Sequence, residues 1–137
     1  MSRPRTLAEV ARRRGDGEEF STLLAEFLDE FYGALKKDPA TAQALIAEQP
    51  ATLAEAREHA VLGAVGEHLA RRWSLAIPEW TNDPTRFLKR AFFTTELEGF
   101  KPMLLVESPL AFRRRMIFTE AEPLRRARMP YPARTGS

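Results

Sequence analysis

The chain has 137 residues, 44% of them hydrophobic and 29% charged, with a formal net charge of +2. A length of this order suits one domain with a core of its own, and so much apolar side chain argues against disorder. The absence of cysteine excludes disulfides, zinc–thiolate sites, iron–sulfur clusters and thiol nucleophiles. The opening residues lack an apolar core of signal-peptide length, and no stretch reaches the ~18 uncharged apolar residues of a spanning helix. The expectation is a cytoplasmic protein without membrane contact.

The elements follow in chain order. Thr6 and Glu9 form a capping-box pattern that opens a helix carrying Leu7, Val10 and Ala11. Gly15-Asp16-Gly17 ends it in a turn. From Glu18 to Lys37, Phe20, Leu23, Leu24, Phe27, Leu28, Phe31 and Leu35 recur at three- and four-residue steps, the apolar face of a helix. Its terminal charges complement the helix dipole. Asp38-Pro39 stops this helix or starts the next, which spans Ala40 to Gln49. Thr52 and Glu55 read as a second capping box, opening the longest helix, from Thr52 to Trp73. Gly63 and Gly66 interrupt it at about 1 kcal/mol each relative to alanine, a pattern that suggests close approach by a neighbouring helix. Glu67 and Arg71 read as a surface pair.

Beyond Trp73 the periodicity weakens. Ser74 to Trp80 reads as an extended connection. Asn82-Asp83-Pro84 and Ser108-Pro109 read as helix starts, each a cap followed by proline. Thr94 to Glu107 suits one or two short helices, although Leu104 to Val106 could equally be a buried strand. Glu120 to Arg128 suits a last short helix. The expectation is an all-α, single-domain bundle over residues 1–128, with short helices and loops in its C-terminal half and a disordered tail over 129–137.

Charge is divided along the chain. Between Asp16 and Glu67 eleven acidic residues face three basic ones, whereas from Ala111 onward seven arginines face Glu120 and Glu122. Such a split suits an acidic partner or nucleic acid, or two regions of one fold that pair with each other.

Catalytic patterns are missing: no phosphate-binding glycine loop, no H-E-x-x-H and no G-x-S-x-G occurs. His59 and His68 stand nine residues apart on one helix and so point in opposite directions. Glu58-His59 and Glu67-His68 read as surface or interfacial pairs. No catalytic, cofactor or metal residue is assigned. An enzyme would need a pocket joining either histidine to several carboxylates.

Arg113-Arg114-Arg115, set between Phe112 and Met116-Ile117-Phe118, carries more content. It suits phosphate and base contacts, or bidentate pairing with acids of a partner protein. It also suits a structural role, with Phe112 and Met116 inward and one arginine on an internal acid. Of the two tryptophans, Trp80 lies in an irregular segment and is expected to be the more exposed. Trp80, Phe112, Arg113, Arg114 and Arg115 are therefore the candidate partner-binding residues.

Three pieces of the chain form a linear pattern: Glu67-His68-Leu69-Ala70, then Ile77-Pro78-x-Trp80, then Ser108-Pro109-Leu110-Ala111-Phe112-Arg113-x-Arg115-x-Ile117-Phe118. The pattern resembles a group of small helical bacterial proteins, some of which look like antitoxin or accessory partners encoded beside nucleotidyltransferase-like toxins. The resemblance implies a non-enzymatic protein that binds a partner protein and takes no cofactor, with the last string supplying either core or contact surface. The alternative is a nucleic-acid-binding regulator that uses the C-terminal arginines, and the apolar helix faces would also suit a homodimer.

Overall fold

The computed structural model describes residues 2–95 and 98–130, the Glu98 side chain excepted. Six α-helices are present among them: α1 (Leu7–Gly15), α2 (Phe20–Lys37), α3 (Pro39–Ala47), α4 (Ala56–Arg72), α5 (Lys101–Glu107) and α6 (Leu110–Arg113). Two short strands, β1 (Phe92–Phe93) and β2 (Ile117–Phe118), pair in parallel, Phe92 with Ile117 and Phe93 with Phe118. The protein is thus mostly helical, and the expectation of an all-α chain is corrected by this one parallel bridge. No helix among the described residues is long and apolar enough to cross a membrane.

The first half follows its sequence signals closely. Thr6 caps α1 by accepting from the Glu9 amide, and Gly17 takes the left-handed φ of 101° that the turn into α2 requires. Asp38 both ends α2 and caps α3, with Pro39 at the first helical position. The second capping box does not form. Glu55 itself caps α4, accepting from the Arg57 amide, so the helix starts at Ala56 rather than Thr52.

Helix α4 is the axis of the molecule. Eleven of its residues are buried in an unbroken register except for Val61, from His59 to Ala70. α1, α2 and α3 pack together, and the chain beyond Trp73 wraps the rest of α4 through two 3₁₀ turns (Glu79–Asn82 and Pro84–Arg86), the strand pair and α6. One hydrophobic core runs from Leu7 to Leu124. Long-range side-chain anchors fasten the wrap. Gln43 of α3 exchanges two hydrogen bonds with the Ala76 backbone, at 2.9 and 2.7 Å. Trp80 Nε1 donates to the Ile46 carbonyl at 3.0 Å, and the Tyr32 hydroxyl donates to the Leu124 carbonyl at 2.7 Å.

Those anchors explain why the second half departs from its local signals. Asp83-Pro84 begins only a 3₁₀ turn, because Arg86 swings inward and the Leu88 amide bonds the Arg115 carbonyl, starting an extended pairing that excludes helix. Ser108 does not N-cap α6, which follows Pro109, but ends α5 as its C-cap. Its hydroxyl instead accepts from the Thr119 amide at 2.8 Å and reaches back to the Leu104 and Thr119 carbonyls, tying the end of α5 to the residue after β2. Leu104 to Val106 is helical, not a strand, and Glu120 to Arg128 forms turns rather than a helix. Of the expected tail, Met129 packs against the core, and residues 131–137 lie outside the described residues.

The glycines of α4 receive side chains rather than a helix. A Cβ at Gly66 would lie 2.8 Å from Cη2 of Trp80, and one at Gly63 would lie 3.0 Å from Nε of Arg115. Trp80 is rigid and buried, so it cannot retreat. Gly66→Ala should therefore destabilise the fold by roughly 1–2 kcal/mol, overpacking outweighing the better helix propensity of alanine. Urea unfolding measures this, and a more stable variant would contradict the packing.

Candidate functional site

The last turns of α4 carry a carboxylate that is fully shielded from solvent, Glu67. An isolated buried charge costs several kcal/mol, so its partners decide whether it can exist. Three arginines supply them. Arg115 Nη1 donates to Oε1 at 2.7 Å, while Arg71 Nε and Arg114 Nη1 donate to Oε2 at 2.7 and 2.9 Å. Burial alone would raise the carboxyl's pKa, but the hydrogen bonds from Arg115 and Arg71 and the neighbouring positive charges bring it below the usual carboxylate range. Glu67 is thus ionised and belongs to the interior, which corrects its reading as half of a surface pair.

Arg115 is equally enclosed. It also donates to the Ala111 carbonyl at 2.8 Å and to that of Thr81, and its guanidinium lies 4.4 Å from the centre of the Phe87 ring. Beside it runs a second buried cation, Arg86, which faces carbonyls instead of a carboxylate. Arg86 donates to the backbone oxygens of His59 (3.1 Å) and Pro50 (2.8 Å) and stands over the Trp80 ring at 4.9 Å. Gly63 leaves the space through which both arginine stems pass. This arrangement was invisible in the sequence, where Arg86 belongs to no motif. Its trace there was Gly63, the α4 glycine that faces both arginines.

His59 and Thr85 invite comparison with a base and its nucleophile, at 3.0 Å between Nε2 and the hydroxyl. The proton direction is wrong for that. The Leu53 amide donates to Nδ1 at 3.3 Å and Arg86 approaches the same nitrogen, so the ring proton resides on Nε2 and points at Thr85. Thr85 in turn donates to Asp83 at 2.8 Å. The chain of bonds locks the loop and leaves His59 nothing with which to accept the hydroxyl proton. His68 stacks edge-on against Phe112, 5.7 Å between ring centres. Both histidines are buried, not surface groups as their acidic neighbours suggested. Among the described residues, no three of His, Asp and Glu come together as metal ligands.

The five candidate residues therefore separate. Trp80 (8% exposed), Phe112 and Arg115 are interior, which corrects the expectation that Trp80 is the more exposed tryptophan, since Trp73 is half-buried. Arg114 is half-exposed but engaged with Glu67, and Arg113 alone faces solvent without a partner among the described residues. Met116 does not turn inward with Phe112. It takes a left-handed φ of 65° and is 37% exposed. Much of the charge split is consumed internally: Arg126 forks onto Asp29 at 3.0 and 2.8 Å, and Arg14 reaches Glu58 at 2.8 Å.

A different surface stands open. A groove of about 640 Å³ runs between α5, the strand pair and the Pro123–Leu124 turn. Val61, Leu104, Phe112, Ile117 and Leu124 contribute to its apolar lining, with Phe100 and Met103 beside them. Helix α5 is apolar on nearly every side, yet only Leu104 is buried. Phe100 (50%), Met103, Leu105 and Val106 (78%) face solvent, and so does Leu110 at the start of α6. A helix apolar all round normally lies inside a protein, and exposed apolar patches mark contact surfaces. The sequence signal was present in the Leu104-Leu105-Val106 run, which reads as core.

No known family model matches the chain, and no curated protein or solved structure is found to be similar to it.

Two predictions follow from the buried charges. Arg115→Met leaves Glu67 without its enclosed partner and should cost about 3–5 kcal/mol in denaturant unfolding, the usual penalty for stripping one member of a buried pair. An unchanged midpoint would show that the pair is not buried. Burial also pushes both histidine pKa values down, helped by Arg86 and opposed by Asp83 at His59, and helped by Arg72 and opposed by Glu122 and Glu67 at His68. The unfolded chain, at about 6.5, then binds protons that the native one refuses, so stability is full above that pH and falls as pH drops below it. The thermal midpoint should decline from pH 7.5 to 5.5, a decline flattened in His59→Asn/His68→Asn.

Proposed function

We propose that the protein is a non-enzymatic, partner-binding helical module whose contact surface is α5 and the groove beside it. The observation that carries this reading is the exposure of Phe100, Met103, Leu105, Val106 and Leu110 on one short stretch of chain. The Ser108–Phe118 string, which resembles the antitoxin and accessory proteins, supports the reading differently from what its arginines suggested. Ser108 ties the end of α5 to the residue after β2, Phe112 and Ile117 line the groove, and the exposed apolar residues lie beside them on α5. The antitoxin or accessory half of a bacterial toxin–antitoxin-type pair is the role this resemblance favours, with the groove covering part of the toxin.

The nucleic-acid reading keeps one point of support, a depression lined by Arg57, Lys89 and Arg90 beside Phe87 and Phe92. It is weaker, because Arg114, Arg115 and Arg126 of the C-terminal run are held in internal ion pairs.

Leu105→Glu with Val106→Glu tests the leading reading, since both positions are exposed and can carry charge without disturbing the core. In copurification from the native host after nuclease treatment, a stoichiometric protein should accompany the wild type and be lost from the variant at unchanged helix content. A partner retained by the variant would place the contact elsewhere, and material lost on nuclease treatment would favour the arginine depression.

A further inference from the structure

The electrostatics of the groove are one-sided. In a chain with 21 basic and 19 acidic residues, its lining contains no lysine or arginine and two carboxylates, Glu107 at the end of α5 and Glu120 just beyond β2. Both are exposed, and neither has a cationic partner among the described residues. Elsewhere Glu9, Glu18, Glu58, Glu67, Glu122 and Asp29 are all paired within the chain. The other polar groups of the groove are threonines, of which Thr94 donates its hydroxyl to the Phe118 carbonyl and Thr119 donates its backbone amide to the Ser108 hydroxyl. The nearest cations, Arg57 over the Phe92 ring at 4.3 Å and Lys101 over that of Phe93 at 5.1 Å, stand against aromatic rings and not in the lining, so the trough's own charge is negative and selects its occupant by sign.

We infer that the groove takes an apolar segment of a partner protein that carries lysine or arginine beside its apolar anchors. The inference rests on the partner-binding reading above and adds the charge of the partner. Apolar side chains of the segment enter between Met103 and Leu124, and its cations meet Glu107 and Glu120 at the rim. A neutral or acidic segment of the same apolar pattern finds the same trough but faces two carboxylates without compensation. Rim charges of this kind act on encounter and selection more than on the depth of binding.

The test uses the full chain and two synthetic, fluorescently labelled amphipathic peptides with identical leucine spacing, one with lysine and one with glutamate at the polar positions. Fluorescence anisotropy should show the lysine peptide binding at least about ten-fold more tightly at low salt, with the gap shrinking as salt approaches ~0.3 M. Glu107→Gln with Glu120→Gln should weaken the lysine peptide about five-fold and leave the glutamate peptide no weaker. Met103→Glu, an exposed position on α5, should abolish leucine-dependent binding while helix content is unchanged. Equal affinity for the two peptides, or indifference to the Glu→Gln pair, would overturn the charge inference and leave an apolar contact surface standing. Binding that survives Met103→Glu would overturn the groove as its place. A dimer in sedimentation that Met103→Glu dissolves would assign the face to a second copy of this chain and overturn the inference as well. Failure of both peptides to bind would likewise overturn it, while the copurification of the Leu105→Glu/Val106→Glu variant decides the parent reading independently.

Discussion

The carboxylate of Glu67 sets the terms for everything packed around it. A charge that deep in the molecule must be neutralised by partners that reach it, and helix α4 can offer only Arg71, one turn along its own surface. The other two partners come from Arg114 and Arg115, and they arrive only because the chain after Trp73 circles α4 and returns. The circuit has further requirements. Trp80 must lie flat on Gly66, Arg86 must pass over Gly63, and the Arg115 carbonyl must receive the Leu88 amide. Hydrophobic burial supplies most of the favourable free energy of such a fold. The ion cluster is satisfied only in a wrapping that brings Arg114 and Arg115 back to Glu67.

The arrangement also explains a division of labour within the Ser108–Phe118 string. Alternate members face inward and outward over only a few residues. Phe112, Arg115, Ile117 and Phe118 are buried, while Leu110, Arg113 and Met116 are exposed. The short α6 turn and the left-handed Met116 between α6 and β2 produce this alternation, since neither a continuous helix nor a continuous strand would give it. Phe112 and Ile117 line the groove, and α5 presents the apolar surface beside it.

The first half of the chain was readable because its signals are local. Thr6 with Glu9, the Phe-Leu stripe of α2, and Asp38 before Pro39 each settle their geometry within one or two turns. The second half was not, for a physical reason. Asp83-Pro84 and Ser108-Pro109 carry the right residues for helix starts, but the competing interactions come from far away: the strand pairing with 115–118 in one case and Thr119 in the other. The expected exposure of Trp80 failed in the same manner, and of the readings of the arginine run Arg115 follows the structural one, an arginine on an internal acid. Nothing within ten residues of Arg115 shows that its partner is Glu67, and the polar belt of Arg86, His59 and Thr85 exists only in three dimensions. The groove was missed because Leu104-Leu105-Val106 has the composition of core, and composition does not reveal whether a cover is present.

Glu67 and Arg115 are 48 residues apart in the chain. During synthesis from the N-terminus, α1 to α4 therefore emerge well before the group that allows the inner face of α4 to close. For that interval the carboxylate has only Arg71, and the helix cannot dock against the rest without stranding a charge. Local helices can form early, but the completed interior waits for Arg115. Any product ending ahead of Arg115 is left with an open, hydrated seam along α4, where proteases and chaperones recognise unfinished chains. The Glu67–Arg115 pair thus ties the closing of α4 to a segment 48 residues further along the chain.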